Sequence, residues 1–173
     1  EHLVKKYFEF QPNIVDSVKK TWYDLLSSPN TVSVHVRLGD YLQFADYHTN
    51  LQLTDYYRDS TNLIKTQLNG KINLIVFSDN IEWCKSNFTQ LLDSNISRFE
   101  ILFSEGQGEV NDLILQTLVS HNIIANSSYS WWGAYLNKTE SKIVISPGNF
   151  YPWFGKSLNY SIADLIPNDW CKL

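Results

Sequence analysis

Apolar and polar residues alternate along this chain in two periods. Ile14, Val15, Val18, Trp22, Leu25 and Leu26 recur at helical spacing and stop before Pro29. Residues 31–36 are strand-like instead. Val32, Val34 and Val36 share one face, while Ser33, His35 and Arg37 share the other. Thr54 can cap a helix over about 55–69, with Tyr56, Tyr57, Leu63, Ile64 and Leu68 as its apolar set and Gly70 as its stop. Residues 72–77 form a near-continuous apolar run, as a buried parallel strand requires. Asn80 opens another helix, with Ile81, Cys84 and Phe88 inward. A short strand is expected at 99–103. A loop carrying Gly106 and Gly108 follows, then a helix over about 110–120 with Leu113, Leu115, Leu118 and Val119. Residues 123–125 predict a strand, 129–136 a helix and 143–145 the last strand, before Pro147 and Gly148 open an aromatic tail.

Five strands separated by helices imply an α/β fold: a Rossmann-like parallel sheet with helices on both faces. At 173 residues the chain is expected to be a single domain, 1–173, long enough for its own core. It opens at Glu1 and contains no Met, so it is read as part of something longer. No apolar run reaches the ~20 residues of a membrane span, and no signal peptide is expected within these residues.

Composition narrows the chemistry. The net charge is −4 and no block of basic residues exists, which argues against a broad nucleic-acid surface. Any phosphate chemistry must be local, built on one or two cations. Aromatic residues make up 14%, with six Trp and ten Tyr, which suits sugar or base stacking and equally suits a core. Cys84 and Cys171 are too few for a disulfide framework or a zinc cluster and read as inert thiols. His2, His48 and His121 lack metal-ligand spacing, so no metal site is expected. Asn-x-Ser/Thr sequons at Asn87, Asn95, Asn126, Asn137 and Asn159 say little in so Asn- and Ser-rich a chain.

Polar groups mark the ends of four of the expected strands: His35, Arg37 and Asp40; Ser78 and Asp79; Ser104 and Glu105; Asn126, Ser127, Ser128 and Ser130. In a parallel sheet these strand ends lie on one edge, where ligands bind, so they imply a cleft. Arg37 offers a planar fork for phosphate oxygens, or else a structural ion pair with Asp40 or Asp79. Residues 126–130 lead into a helix, so they read either as an anion site or as a simple N-cap. Asp112, early in its helix, can accept hydrogen bonds from a base edge or merely complement the helix dipole. No G-x-G-x-x-G or Walker loop is present, and NAD or ATP binding is not indicated.

Four motifs in order, HVRLGDY at 35–41, FSDNIEWCK at 77–85, ANSSYSWWGAYLN at 125–137 and VISPGNFYPW at 144–153, make the chain resemble the α-1,2-fucosyltransferase family over nearly its whole length. The resemblance implies the C-terminal, donor-binding half of a two-domain GT-B enzyme. Such an enzyme transfers L-fucose from GDP-fucose to the 2-hydroxyl of a galactose-terminated glycan, with inversion and without a metal or other cofactor. It implies Arg37 on the β-phosphate, His35 and Asp112 near the guanine, Ser128 or Ser130 with neighbouring amides on phosphate oxygens, and Asp79 supporting the donor loop. Asp46 is the candidate general base, and Asp40 is either catalytic or a structural partner of Arg37. The family commonly carries a second arginine after the first; here that residue is Leu38. The Gly-rich opening segment of the complete enzyme is not in this sequence, so a non-catalytic nucleotide- or carbohydrate-binding module is the alternative. Membrane association is expected only through parts outside this sequence. The resemblance fits a bacterial cytoplasmic or membrane-peripheral enzyme as well as a Golgi one.

Overall fold

The computed structural model describes all residues except Glu1, Ser94, Asn95, Lys156, Ser157 and Asn159. The sequons at Asn95 and Asn159 therefore lie outside the described residues. The described elements in chain order are α1 (His2–Tyr7), α2 (Pro12–Thr21), α3 (Tyr23–Leu26), β1 (Thr31–Val36), α4 (Tyr56–Gln67), β2 (Ile72–Ser78) and α5 (Ile81–Asn87). They continue with β3 (Phe99–Phe103), α6 (Glu109–Leu118), β4 (His121–Ile123), α7 (Ser128–Leu136), β5 (Val144–Ser146) and β6 (Cys171–Lys172). The six strands form one sheet in the order β3-β2-β1-β4-β5-β6, with every pairing parallel.

The α/β reading of the sequence matches this architecture. The side-chain period of two sends alternate residues of β2 into two cores. Leu74 and Val76 join Val32, Val34 and Val36 under α4 and α5, against Tyr56, Tyr57, Ile64, Cys84 and Phe88. Ile75 and Phe77 face the other way, against Val18 of α2 and Ile114 and Leu115 of α6. Helices thus cover both faces, as an all-parallel sheet requires. A third cluster, with Trp153, Ile166 and Trp170, packs Ile124 and Val144 under the C-terminal segment.

Several boundaries differ from the sequence expectation for physical reasons. The helix expected through Leu26 breaks at Trp22, whose φ of −110° and ψ of 22° separate α2 from α3. β4 begins two residues earlier than expected, because buried Asn122 satisfies its amide inside the fold. Its Nδ2 donates to Ser33 Oγ at 2.7 Å and to the Gln116 carbonyl at 2.8 Å, and its Oδ1 accepts from Asn137 at 2.9 Å. The tail supplies β6, a sixth strand that the aromatic and proline content concealed, and α1 was likewise not expected. α4 ends before Gly70, where the Arg98 guanidinium donates to the carbonyls of Lys65, Leu68 and Gly70. Asn126 and Asn137 are buried, so neither sequon is presented on the surface of the fold. Cys84 is buried and Cys171 exposed, and both thiols are free. No helix among the described residues is long and apolar enough to cross a membrane.

Candidate active site

The chain leaves β1 for β2 and β3 on one side of the sheet. It then returns to β4 on the other side of β1. This reversal leaves a crevice beyond the carboxyl ends of β1 and its neighbours, the usual ligand position in open α/β sheets. A cleft of about 260 Å³ lies there, floored by Phe77 and Ser78 and walled by His35, Arg37, Asp79, Glu109, Asp112 and Tyr129. A larger hollow of about 360 Å³, bordered by Phe8, Phe10 and Val15, holds none of the strand-end residues. The convergent titratable groups make the smaller cleft the candidate site.

Arg37 leaves the end of β1 between two carboxylates. Its Nη2 donates to Asp40 Oδ1 at 2.6 Å, and its Nη1 lies 3.1 Å from Asp79 Oδ2. The guanidinium also sits over the Tyr41 ring, 5.4 Å from its centroid. Partial burial alone would lower the Arg37 pKa, but Asp40 and Asp79 outweigh it and raise the value. The hydrogen bond from Arg37 holds the Asp40 carboxyl below its usual range. Asp79 also accepts the Leu38 N–H at 3.0 Å, so one carboxylate holds both the guanidinium and the loop that follows it.

His35 is buried, with Nδ1 2.9 Å from Ser130 Oγ. Burial, and then the nearby Arg37 charge, lower its pKa to about 3. The imidazole is therefore neutral at physiological pH and offers hydrogen bonding rather than charge. Tyr57 fixes the backbone beneath it by donating to the His35 carbonyl at 3.0 Å. Asp112 stands in the first turn of α6 and accepts from Ser104 Oγ at 2.5 Å. Burial raises its pKa, against the opposing Ser104 hydrogen bond.

The serine cluster divides. Ser130 is fully buried and, besides meeting His35, accepts the Ala125 N–H at 3.2 Å. Asn126 points inward, donating to the carbonyls of Thr49 at 3.0 Å and Trp153 at 2.9 Å. Ser127 is the N-cap residue of α7 but makes no side-chain capping bond, and Ser128 is exposed. The first N–H groups of α7 are thus not capped by Ser127. The structure brings His35, Arg37, Asp79 and Asp112 together in the cleft, with Asp40 joined to Arg37. It does not bring Asp46 there. That residue is exposed, on a turn pressed so close to Gly155 that a Cβ on Gly155 would lie 2.3 Å from the Asp46 carbonyl oxygen.

Sequence reasoning assigned no role to Glu109, Tyr129 or Tyr41. Tyr129 lines the cleft, 5.5 Å from the His35 ring centre, and its hydroxyl donates to the Glu109 carbonyl at 2.5 Å. Tyr41 stacks on His48 and donates to the Asn126 carbonyl at 2.9 Å, joining the loop after β1 to the loop after β4. Both lie inside the quoted motifs, and motif membership was the available signal. Among the described residues no group of three His, Cys, Asp or Glu side chains stands close enough to hold a metal ion.

Comparison with known proteins gives the family. The model of glycosyl transferase family 11 matches residues 9–157. An alpha-1,2-colitosyltransferase of Escherichia coli is 34% identical over 100% of this chain and 58% of its own length. The O-antigen biosynthesis glycosyltransferase WbnK of Escherichia coli is 35% identical over 77% of this chain and 43% of its own. The galactoside alpha-(1,2)-fucosyltransferase 1 of Homo sapiens is 30% identical over 61% of this chain and 28% of its own. The chain thus spans little more than half of the bacterial relative that it matches end to end. With a matching model over most of its length and the strand-end cleft in place, the chain belongs to glycosyl transferase family 11, whose members include α-1,2-fucosyltransferases.

Proposed function

We propose that this chain is the donor-binding half of a galactoside 2-α-L-fucosyltransferase. It would hold GDP-fucose in the cleft beyond β1 while the fucosyl group passes, with inversion, to the 2-hydroxyl of a terminal galactose. The observation that carries this reading is Arg37, a permanent cation set at the topological switch point within a motif of the family. Breaking the bond between fucose and the diphosphate leaves charge on the β-phosphate. In the proposal Arg37 and the uncapped N–H groups at the start of α7 receive that charge, in place of a metal ion. His35, held neutral, and Asp112 face the same cleft from β1 and α6 and are assigned to the guanine. Asp79 supports the donor loop through Leu38 and Arg37. Ser127 and Ser128 stand at the α7 end, while Ser130 and Asn126 act behind it by fixing His35 and the loop.

Two carboxylates, Asp40 and Asp79, hold this arginine, and two more, Glu109 and Asp112, line the same cleft. A diphosphate therefore needs further positive charge or donors, consistent with a second half that closes the cleft and carries the acceptor. The acceptor hydroxyl needs a base. The candidate is Asp46, exposed on the loop after β1 and outside the cleft, with Asp40 of the same loop as the alternative.

The similarity to a colitosyltransferase over the whole chain favours a second reading of the donor, in which the sugar is colitose and the nucleotide site is unchanged. The test is calorimetric titration of the chain with GDP, followed by transfer assays with GDP-fucose and GDP-colitose on a β-galactoside. GDP binding that depends on Arg37 supports the site, and transfer of one sugar over the other decides the donor. Absence of GDP binding overturns the proposal. Binding without transfer by this chain identifies it as a nucleotide-binding module that requires its other half.

A further inference from the structure

Arg37 is held by two carboxylates whose settings differ. Asp79 is the more enclosed, with its side chain 23% exposed, and it has a second anchor in the Leu38 N–H. It is also wedged against Gly39, where a Cβ would lie 2.3 Å from Asp79 Oδ2. Asp40 is 53% exposed, stands three residues from Arg37 on the short 3₁₀ turn Gly39–Leu42, and meets the guanidinium through one contact. Exposed pairs of this kind contribute little to stability.

We propose that Asp40 and the phosphate of an incoming nucleoside diphosphate compete for the same edge of the Arg37 guanidinium, so that donor binding releases Asp40 while Asp79 stays in place. This rests on the assignment of Arg37 to the diphosphate made above. A phosphate oxygen on Arg37 Nη2 would stand within a few ångströms of the Asp40 carboxylate, and two anions at that distance repel. One of the three anions around the guanidinium must withdraw. Asp79 cannot do so without breaking the bond to Leu38 N–H. Asp40 needs only a side-chain rotation into solvent. The competing carboxylate keeps nucleotide affinity moderate and takes back Arg37 as the nucleotide leaves, which places Asp40 as a positioning residue that favours product release.

The test is GDP binding by the whole 173-residue chain, measured by calorimetry for affinity and by stopped flow for dissociation. Four proteins are compared: wild type, Asp40→Asn, Glu109→Gln and Arg37→Ala. Glu109→Gln removes a cleft carboxylate that makes no contact with Arg37 among the described ion pairs, so it reports the general effect of charge. Asp40→Asn is expected to bind GDP about fivefold more tightly, with the gain in a slower off-rate, and Glu109→Gln to gain clearly less. Equal gains overturn the proposal, because charge alone then accounts for both. Weaker binding by Asp40→Asn also overturns it and makes Asp40 a preorganising partner of Arg37. If wild type binds GDP but Arg37→Ala binds equally well, the assignment of Arg37 fails, and this inference fails with it. If wild type binds and Arg37→Ala loses affinity, a flat Asp40→Asn result overturns this inference alone.

Discussion

Gly39 lies so close to Asp79 that a methyl group on its α-carbon would stand 2.3 Å from Asp79 Oδ2, well inside contact distance. Gly39 also has φ of +21°, at the edge of the left-handed region, so a side chain there is both crowded and strained. Gly39→Ala must push Asp79 away from Leu38 N–H and from Arg37. The expected result is a loss of about 1–3 kcal/mol in denaturant unfolding, together with weaker GDP binding. Stability and affinity both equal to wild type would show that the turn re-forms without Asp79.

Arg37→Ala removes the positive charge that meets the proposed diphosphate. The expected loss in GDP binding is roughly 2 kcal/mol, about thirtyfold in Kd, the scale of a charge-assisted hydrogen-bond pair. Arg37→Lys keeps the charge and loses the fork, so it should recover only part of that affinity. Calorimetric titration at one fixed ionic strength measures both. Full affinity in Arg37→Ala would remove the diphosphate from this part of the cleft.

His35 links the fold to pH. Its pKa is about 3 in the folded chain, against 6.5 as the ordinary value, so the unfolded chain binds the extra proton across that window. Its contribution to stability is complete above pH 6.5 and declines as pH falls toward 3. Between pH 7 and pH 5 this group should cost about 2 kcal/mol. His35→Asn lacks the titration and should show a flatter profile, even though it starts less stable. Parallel wild-type and His35→Asn curves in urea melts at pH 5, 6 and 7 would show that His35 does not titrate in this way.

Gly133 sets the approach of α7 to α6. A Cβ there would lie 2.9 Å from Gln116 Cβ and 3.0 Å from Gln116 Oε1. Alanine ordinarily stabilises a helix interior by up to about 1 kcal/mol over glycine, while overpacking costs about 1–3 kcal/mol, so the clash should win. Gly133→Ala is expected to lower the melting temperature by a few degrees. A rise would mean that α6 and α7 separate at no cost.

The order of strands and helices was legible because it depends on local periods. The alternation in 31–36, the apolar run at 72–77 and the helical spacing in 110–120 each mark an element from a few neighbouring residues. β4 was misplaced because Asn122 reads as a loop residue until Ser33, Gln116 and Asn137 satisfy it. β6 was missed because a two-residue edge strand has no period. In the cleft, His35, Arg37, Asp79 and Asp112 were legible as polar groups after strands or at a helix start. Asn126 and Ser130 belonged to the same pattern, yet their polar atoms turn inward.

By itself the sequence determined the class of the fold, the edge of the sheet where chemistry gathers and the family resemblance carried by its motifs. These follow from side-chain period and chain order, which a parallel sheet converts directly into position. Only the tertiary structure decided which polar groups face the cleft and which hold it together. His35 meets Ser130 across 95 residues, and Asp79 reaches Leu38 across 41. No local pattern encodes such distant pairs. They exist because the packed sheet brings separate strand ends within hydrogen-bonding distance.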